Sequence, residues 1–312
     1  EQADVVLINT CAVRENAHHK IRSRLGNLKK LRDHKPVHFG ILGCMAQNLK
    51  DELLSIPVVD FAIGPDAYRE LPGMIDRALG KNPEGSTSAF ELSEYETYTD
   101  IAPRRQAGVN AWIAIMRGCD NFCSFCVVPY TRGRERSRTL SSVVDEARGA
   151  VEAGYPQITL LGQNVNSYRS ENNDFYDLMA AVSDIPGLKR VRFTSPHPKD
   201  FPKRLLQLIA ERPNLCKQIH LPLQAGNSTV LKRMHRGYTR DDFEARATEI
   251  RAAIPGVQLS TDIIVGFPGE TPDQFDETAA VMERVRFDAS YIFKYSERQD
   301  TLAVKKYRDD VA

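Results

Sequence analysis

Cys119, Cys123 and Cys126 stand in a Cys-x3-Cys-x2-Cys spacing within Met116-Arg117-Gly118-Cys119-Asp120-Asn121-Phe122-Cys123-Ser124-Phe125-Cys126-Val127-Val128-Pro129-Tyr130, directly after an apolar run. They are half of the chain's 6 cysteines. Thiolates this close on one loop can converge on a soft metal centre, and iron–sulfur clusters are held by such ligands. A four-iron cubane with three protein ligands keeps one iron open to another molecule, so the spacing suits chemistry as well as electron storage. A zinc loop is the competing reading, because Cys-x2-Cys is half of many zinc sites. Zinc, however, needs a fourth ligand and usually a second Cys or His pair, and none is adjacent here.

The run before Cys119 must position this loop. Ala111–Met116 is the first of six strand-like runs, followed by Gln157–Leu161, Arg190–Thr194, Gln218–Leu223, Leu259–Val265 and Ala289–Tyr295. Helical patterns near Leu140–Ala153, Phe175–Ser183, Phe201–Ala210, Asp241–Ala253 and Asp273–Val285 fill the gaps. Strands and helices that alternate in this way predict parallel strands, right-handed crossovers and a curved or closed (βα)6 barrel. In such barrels chemistry sits at the C-terminal strand ends. The loops after the runs should therefore carry the site: residues 160–168, 194–198, 220–226 and 262–271.

Upstream, Asp4–Thr10, Val37–Gly43 and Val59–Gly64 are shorter strand-like runs. Between the first two, Ile21, Leu25, Leu28 and Leu31 recur near helical spacing across 14–32, and another helix is expected near Arg69–Leu79. This is a small α/β domain with a parallel sheet. Cys11 and Cys44 each follow a strand, and parallel strands end on the same sheet edge, so the two thiols could meet there. A buried small thiol is the other reading open to each. The change of composition from Asn82-Pro83-Glu84-Gly85-Ser86 to Pro103-Arg104-Arg105 reads as a linker. The expected division is residues 1–85, a linker over 86–108, and the barrel over 109–312.

Composition narrows the class little further. With 42 basic and 41 acidic residues, any nucleic-acid affinity must come from a local patch. Arg132, Arg134, Arg136 and Arg138 alternate after the cysteines; if extended, they present one basic edge for phosphates, with Glu135 facing away. A solvated loop with local ion pairs is the competing reading. No long apolar run or charged-then-apolar leader is present, so neither a membrane span nor a secretory signal is expected. Cysteines clustered in motifs favour metal ligation over disulfides, and the expected location is cytoplasmic. The opening at Glu1, almost directly before a strand, suggests a truncated chain.

Cys119-x3-Cys123-x-Phe125-Cys126 resembles the radical S-adenosylmethionine (SAM) signature. The continuation Val127-Val128-Pro129-Tyr130-Thr131-Arg132-Gly133-Arg134 narrows the resemblance to the radical SAM methylthiotransferases. Asn9-Thr10-Cys11-Ala12-Val13-Arg14-Glu15 and Gly43-Cys44-Met45-Ala46 are similar to two of the three cysteine motifs in that family's N-terminal domain, the third lying upstream of Asn9. The resemblance implies a partial barrel and two [4Fe-4S] clusters. One would be held by Cys119, Cys123 and Cys126 and would bind SAM; an auxiliary one would be held by Cys11, Cys44 and a cysteine outside this sequence. It also implies SAM contacts by Phe125, Gln163, Asn164, Ser195, Gln224, Arg236, Asp262, Gly266 and Phe267, although turn capping is equally open to Ser195, Gln224 and Arg236. His220 and His235 read as structural.

The activity implied is conversion of N6-isopentenyladenosine beside a tRNA anticodon to its 2-methylthio derivative. One SAM would yield a 5′-deoxyadenosyl radical that activates carbon 2; another would methylate the inserted sulfur. Leu160-Leu161-Gly162-Gln163-Asn164-Val165-Asn166-Ser167-Tyr168 looks like the branch acting on this nucleoside. The implied partners are tRNA, an electron donor such as flavodoxin or ferredoxin, and a sulfur or cluster donor. No membrane is implied. The family's C-terminal RNA-binding domain, of the TRAM type, is not visible after Tyr295. Threonylcarbamoyladenosine in tRNA and a ribosomal-protein aspartate are alternative substrates within the family. A zinc-stabilised RNA-binding module is the alternative of another class.

Overall fold

The computed structural model describes residues 2–12 and 15–311. Val13 and Arg14, part of the motif after the first strand, lie outside the described residues. The chain divides into two compact units: Glu1–Glu96 with Gly118–Asp120 and Cys126–Arg134, and Thr97–Arg117 with Asn121–Phe125 and Glu135–Ala312.

In the first unit, β1 (Val5–Thr10), β2 (His38–Gly43), β3 (Phe61–Ile63) and β4 (Ser88–Ala89) form a parallel sheet in chain order. The crossover between β1 and β2 is the helix Glu15–Leu28, continued by a 3-10 turn over Lys29–Asp33. Leu25 is buried in the core with Phe39 and Ile41, and Ile21, Leu28 and Leu31 pack against it. The four leucine and isoleucine side chains recur every three or four residues, which is why one helix face reaches the sheet. Ser88–Ala89 falls inside the stretch expected to be a linker. Two paired residues are too short to show a period, and β4 is held by pairs such as Gly64 N–H to Ala89 O at 2.7 Å.

The second unit contains β5 (Asn110–Ala114), β6 (Gln157–Leu161), β7 (Arg190–Phe193), β8 (Gln218–His220), β9 (Gln258–Val265) and β10 (Ala289–Lys294). All their pairings are parallel, β5-β6-β7 on one side and β8-β9-β10 on the other. A parallel bridge between Val191 and Leu215 joins the halves, with Cys216 N–H donating to Val191 O at 3.0 Å. The six strands therefore stand in the order of the chain. Helices Leu140–Glu152, Phe175–Ser183, Lys203–Glu211, Arg240–Ala253 and Pro272–Val285 lie between successive strands. Three begin with capping boxes, at Asp174, Thr239 and Thr271.

One apolar core joins the strands to the helices. Ile113, Leu160, Val191, Ile219, Leu259 and Ile263 pack with Val143, Leu178, Leu205, Phe243 and Val281. The alternate strand residues face the concave side of the sheet. The first expected run is broken at Ile115, whose N–H still pairs with Leu161 O while its C=O accepts from Arg138 N–H, each at 2.9 Å. The chain then enters a two-residue antiparallel ribbon, Met116–Arg117 against Arg136–Ser137. No helix among the described residues is long and apolar enough to cross a membrane.

Candidate functional site

The cysteine loop begins and ends on fixed backbone. Gly118 has a φ of +78°, and a Cβ there would lie 2.0 Å from Arg134 O, so no side chain fits. Cys119 N–H donates to Gly133 O at 3.2 Å. Phe122 takes a left-handed conformation, φ 46°. Ser124 N–H donates to Met234 O at 3.0 Å, and Ser124 O accepts from Ala303 N–H at 2.7 Å. Cys119 and Cys123 are buried and Cys126 half-buried, with Val128 N–H 3.5 Å from Cys126 Sγ. None of the 6 cysteines forms a disulfide. Phe125 packs on a cluster containing Phe267, Ala225, Met234 and Tyr295, so the two phenylalanines expected to contact SAM share one cluster.

Arg236 lies against this loop, almost fully buried. Its Nη1 donates to Cys123 Sγ at 3.1 Å, its Nε to the Tyr238 hydroxyl at 3.0 Å and its Nη2 to Pro222 O at 3.3 Å. Burial works against the charge, but Tyr238 and Cys123 hold the guanidinium pKa above its ordinary value. A guanidinium donor at a cysteine sulfur is one of the levers that set cluster potentials.

The other strand-end loops are tied to one another. After β6, Asn164 Nδ2 donates to Asp200 Oδ2 at 3.2 Å and Asn166 Nδ2 to the carbonyls of His197 and Asp200 at 2.9 and 2.8 Å. His197 N–H returns a bond to Asn166 Oδ1 at 2.8 Å. Gln163 Oε1 and Asn164 Oδ1 are buried without a protein partner. Ser195 and Gln224, at the ends of the third and fourth strands, both have left-handed backbones, φ 57° and 71°. Ser195 is exposed, whereas Gln224 is buried and its backbone bonds to Asp262 O and Ile264 N–H fix it against β9. Strained backbone of this kind collects at ligand sites. Gly226 follows, where a Cβ would lie 2.4 Å from Thr278 Cα.

After β9, Gly266 N–H donates to Glu270 Oε2 at 2.6 Å, closing the loop that carries Phe267. Burial raises the Glu270 pKa, against these backbone bonds and Arg233. Asp262 Oδ2 lies 3.1 Å from His220 Nε2, and His220 Nδ1 lies 3.0 Å from Ser260 Oγ.

In the first unit, the register places Thr10 opposite Gly43, so Cys11 and Cys44 follow paired positions at one sheet edge. Cys11 is exposed and Cys44 buried. Cys44 is packed with Ala12 and Val127.

The four arginines do not form the basic edge expected of an extended segment. Arg132 closes the short helix Val128–Arg132, and its Nε donates to Cys44 Sγ at 3.0 Å. Arg134 is exposed and pairs with Asp120 at 3.0 Å. Arg136 and Arg138 are buried. Arg138 bonds Ala114 O and Ser142 O, each at 3.0 Å, and pairs with Glu146. A helix, a left-handed Gly133 and the ribbon replace the single extended run, so the period of two is broken.

Sequence reasoning assigned no role to His197 or Ser124. His197 is buried and its Nε2 has no protein partner. Burial first, then Arg236 and Lys199, push its pKa down to about 2. Ser124 Oγ is likewise buried and without a partner. Position at a strand end was the available signal for His197; nothing in the sequence marks Ser124 beyond its place between two cysteines.

Among the described residues, no three Cys, His, Asp or Glu side chains are gathered to hold a single metal ion. A cubane spreads its sulfur ligands farther apart than one ion does. A donor set made only of thiols, with guanidinium donors at Cys123 and Cys44, fits clusters of that kind.

The class follows from these features and from sequence comparison. The radical SAM superfamily matches residues 113–282, and an uncharacterized protein family, UPF0004, matches residues 1–64. The radical SAM methyltransferase TsrM from Kitasatospora setae superposes with a TM-score of 0.70 at 17% identity, over 94% of this chain and 64% of that one. It shares the fold. The tRNA-2-methylthio-N6-dimethylallyladenosine synthase of Prosthecochloris aestuarii is 49% identical over 317 residues, covering 100% of this chain and 71% of the relative. That of Porphyromonas gingivalis is 45% identical, covering 100% and 69%. The rat mitochondrial tRNA methylthiotransferase CDK5RAP1 is 45% identical, covering 100% and 58%. The chain belongs to the tRNA-2-methylthio-N6-dimethylallyladenosine synthase family of radical SAM enzymes.

Proposed function

We propose that this protein converts N6-isopentenyladenosine beside the anticodon of tRNA to its 2-methylthio derivative, using SAM and two [4Fe-4S] clusters. The observation that carries the reading is the identity of nearly half across the entire chain to enzymes of that name. When bound, the clusters and SAM supply a carbon-centred radical, the sulfur and the methyl group; the protein supplies position and dryness.

Cys119, Cys123 and Cys126 would hold the SAM-binding cluster, and Arg236 would donate to the sulfur of Cys123. Phe125 and Phe267 would form the apolar side of the SAM pocket. Gln163, Asn164, Ser195, Gln224 and Gly266 would furnish its polar contacts from neighbouring strand ends, while Asp262, expected among them, is engaged by His220 instead. The buried, unpartnered oxygens of Gln163 and Asn164 support that assignment, because such atoms are costly unless a ligand or water meets them. Cys11 and Cys44 would be ligands of the auxiliary cluster. Arg134 is the arginine of the 132–138 set best placed for RNA phosphate, since Arg136 and Arg138 are buried.

The domain plan proposed is an N-terminal methylthiotransferase domain, a linker and a barrel from residue 109. The working partners are a low-potential electron donor and a sulfur or cluster donor, and the location is cytoplasmic.

The test is anaerobic reconstitution with iron and sulfide, followed by SAM, a reductant and an anticodon stem-loop carrying N6-isopentenyladenosine. Nucleoside mass spectrometry should show the methylthio derivative. Iron-loaded protein that cleaves SAM yet leaves that nucleoside unmodified would refute the reading.

A further inference from the structure

The concave face of the second unit carries a side-chain cluster that the cysteines and loops above do not use. Ile219, Leu259 and Ile263 pack into the core on one face of β8 and β9. His220, Ser260 and Asp262 alternate with them and so project from the other face. Tyr291 of β10 stands beside Asp262 in register, and its ring centroid is 6.2 Å from that of His220. Tyr291 is 56% exposed, on an edge strand most of whose residues are open.

Hydrogen bonding defines what this cluster offers. A carboxylate only accepts, so His220 Nε2 is the donor to Asp262 Oδ2, and Nδ1 faces the Ser260 hydroxyl. His220 is thereby held in place by both ring nitrogens. It orients one carboxylate oxygen and leaves the other, Oδ1, as an acceptor on the concave face. An acceptor beside an open aromatic ring complements a purine that carries an exocyclic N–H. A single-stranded base is bound by aromatic stacking together with hydrogen bonds to its edge.

We infer that His220, Asp262 and Tyr291 form the subsite for the target base: the adenine stacks on Tyr291, and its single remaining N6–H donates to the Asp262 carboxylate that His220 orients. This rests on the proposed function and names the residues that read its substrate. His220, expected to be structural, becomes a positioning residue. A base splayed from its loop reaches such a concave face at modest cost.

The experiment uses the reconstituted protein and measures two affinities separately: that for SAM, and that for an anticodon stem-loop carrying N6-isopentenyladenosine. Tyr291→Ala should weaken RNA binding about ten-fold, the usual scale for one lost base stack, while Tyr291→Phe restores it. The exposure of Tyr291 keeps the fold out of the comparison. His220→Ala should lower the methylthio product formed per SAM cleaved. RNA affinity unchanged in Tyr291→Ala, or SAM affinity reduced as much as RNA affinity, would overturn the inference while leaving the function intact. A parent protein that cleaves SAM without modifying the base would overturn both.

Discussion

Arg132 donates from Nε to Cys44 Sγ across 3.0 Å. Burial opposes its charge, but Cys44, with Tyr68 and Asp66, holds its pKa above the ordinary value. Hydrogen bonds to ligand sulfurs raise a cluster's reduction potential, because they offset the negative charge gained on reduction. Arg132→Met is therefore expected to lower the potential of the N-terminal cluster and to loosen its iron roughly ten-fold, with Arg132→Lys in between. Potentiometry followed by electron paramagnetic resonance, in a background lacking the barrel cysteines, reads this directly. Equal potentials in all variants would show that the contact has no electronic role.

That background is itself a test. Removing Cys119, Cys123 and Cys126 together should abolish SAM cleavage and leave iron bound by the N-terminal set. Iron and sulfide quantitation, with the absorption spectrum, distinguishes this from a protein that has lost all its iron.

Gly118→Ala places a methyl group 2.0 Å from Arg134 O at a left-handed φ. Backbone must shift at both ends of the cysteine loop, and the expected cost exceeds about 1 kcal/mol. Thermal denaturation should show a Tm a few degrees lower. A variant as stable as the parent would mean that the loop has room to move.

His197 gives a pH signature. Its pKa falls from 6.5 to about 2 in the folded protein. The unfolded chain therefore binds its proton more readily, and stability is complete above about pH 6.5 and declines as pH falls toward 2, by up to roughly 1.4 kcal/mol per pH unit. Urea midpoints at pH 7.5 and 5.5 should separate more in the parent than in His197→Gln. Equal separations would place the acid sensitivity on other groups.

Arg134 and Arg138 should behave oppositely. Arg138→Ala leaves two carbonyls without this donor and Glu146 with Arg105 as its remaining partner, and a loss of about 2 kcal/mol is expected. Arg134→Ala should leave the Tm unchanged and reduce the salt dependence of RNA binding by about one unit of slope. Salt titrations that do not differ from the parent would remove Arg134 from the RNA surface.

The strands and helices were legible because each carries an apolar face at its own period, as Ile219, Leu259 and Ile263 do on alternate positions. The parallel register that sets Cys11 and Cys44 at one edge followed from strand–helix–strand order alone. The two-residue ribbon at Met116–Arg117 and the strand Ser88–Ala89 were not legible, since neither is long enough to have a period. Nor was the burial of Arg138, whose partner Glu146 lies on a different element. Polar residues at strand ends marked Ser195 and Gln224, but their left-handed backbones depend on tertiary contacts that a sequence does not display. The contacts of His220 were not legible either, because its partners Ser260 and Asp262 lie some forty residues away.

The strands of the second unit pair with their predecessors within β5-β6-β7 and within β8-β9-β10. Every later strand of each set therefore finds its pairing edge already in place, after a crossover of one or two helices. Loop-closure entropy stays small at each addition, and the unit can assemble progressively from β5 as the chain leaves the ribosome, without waiting for its last strand.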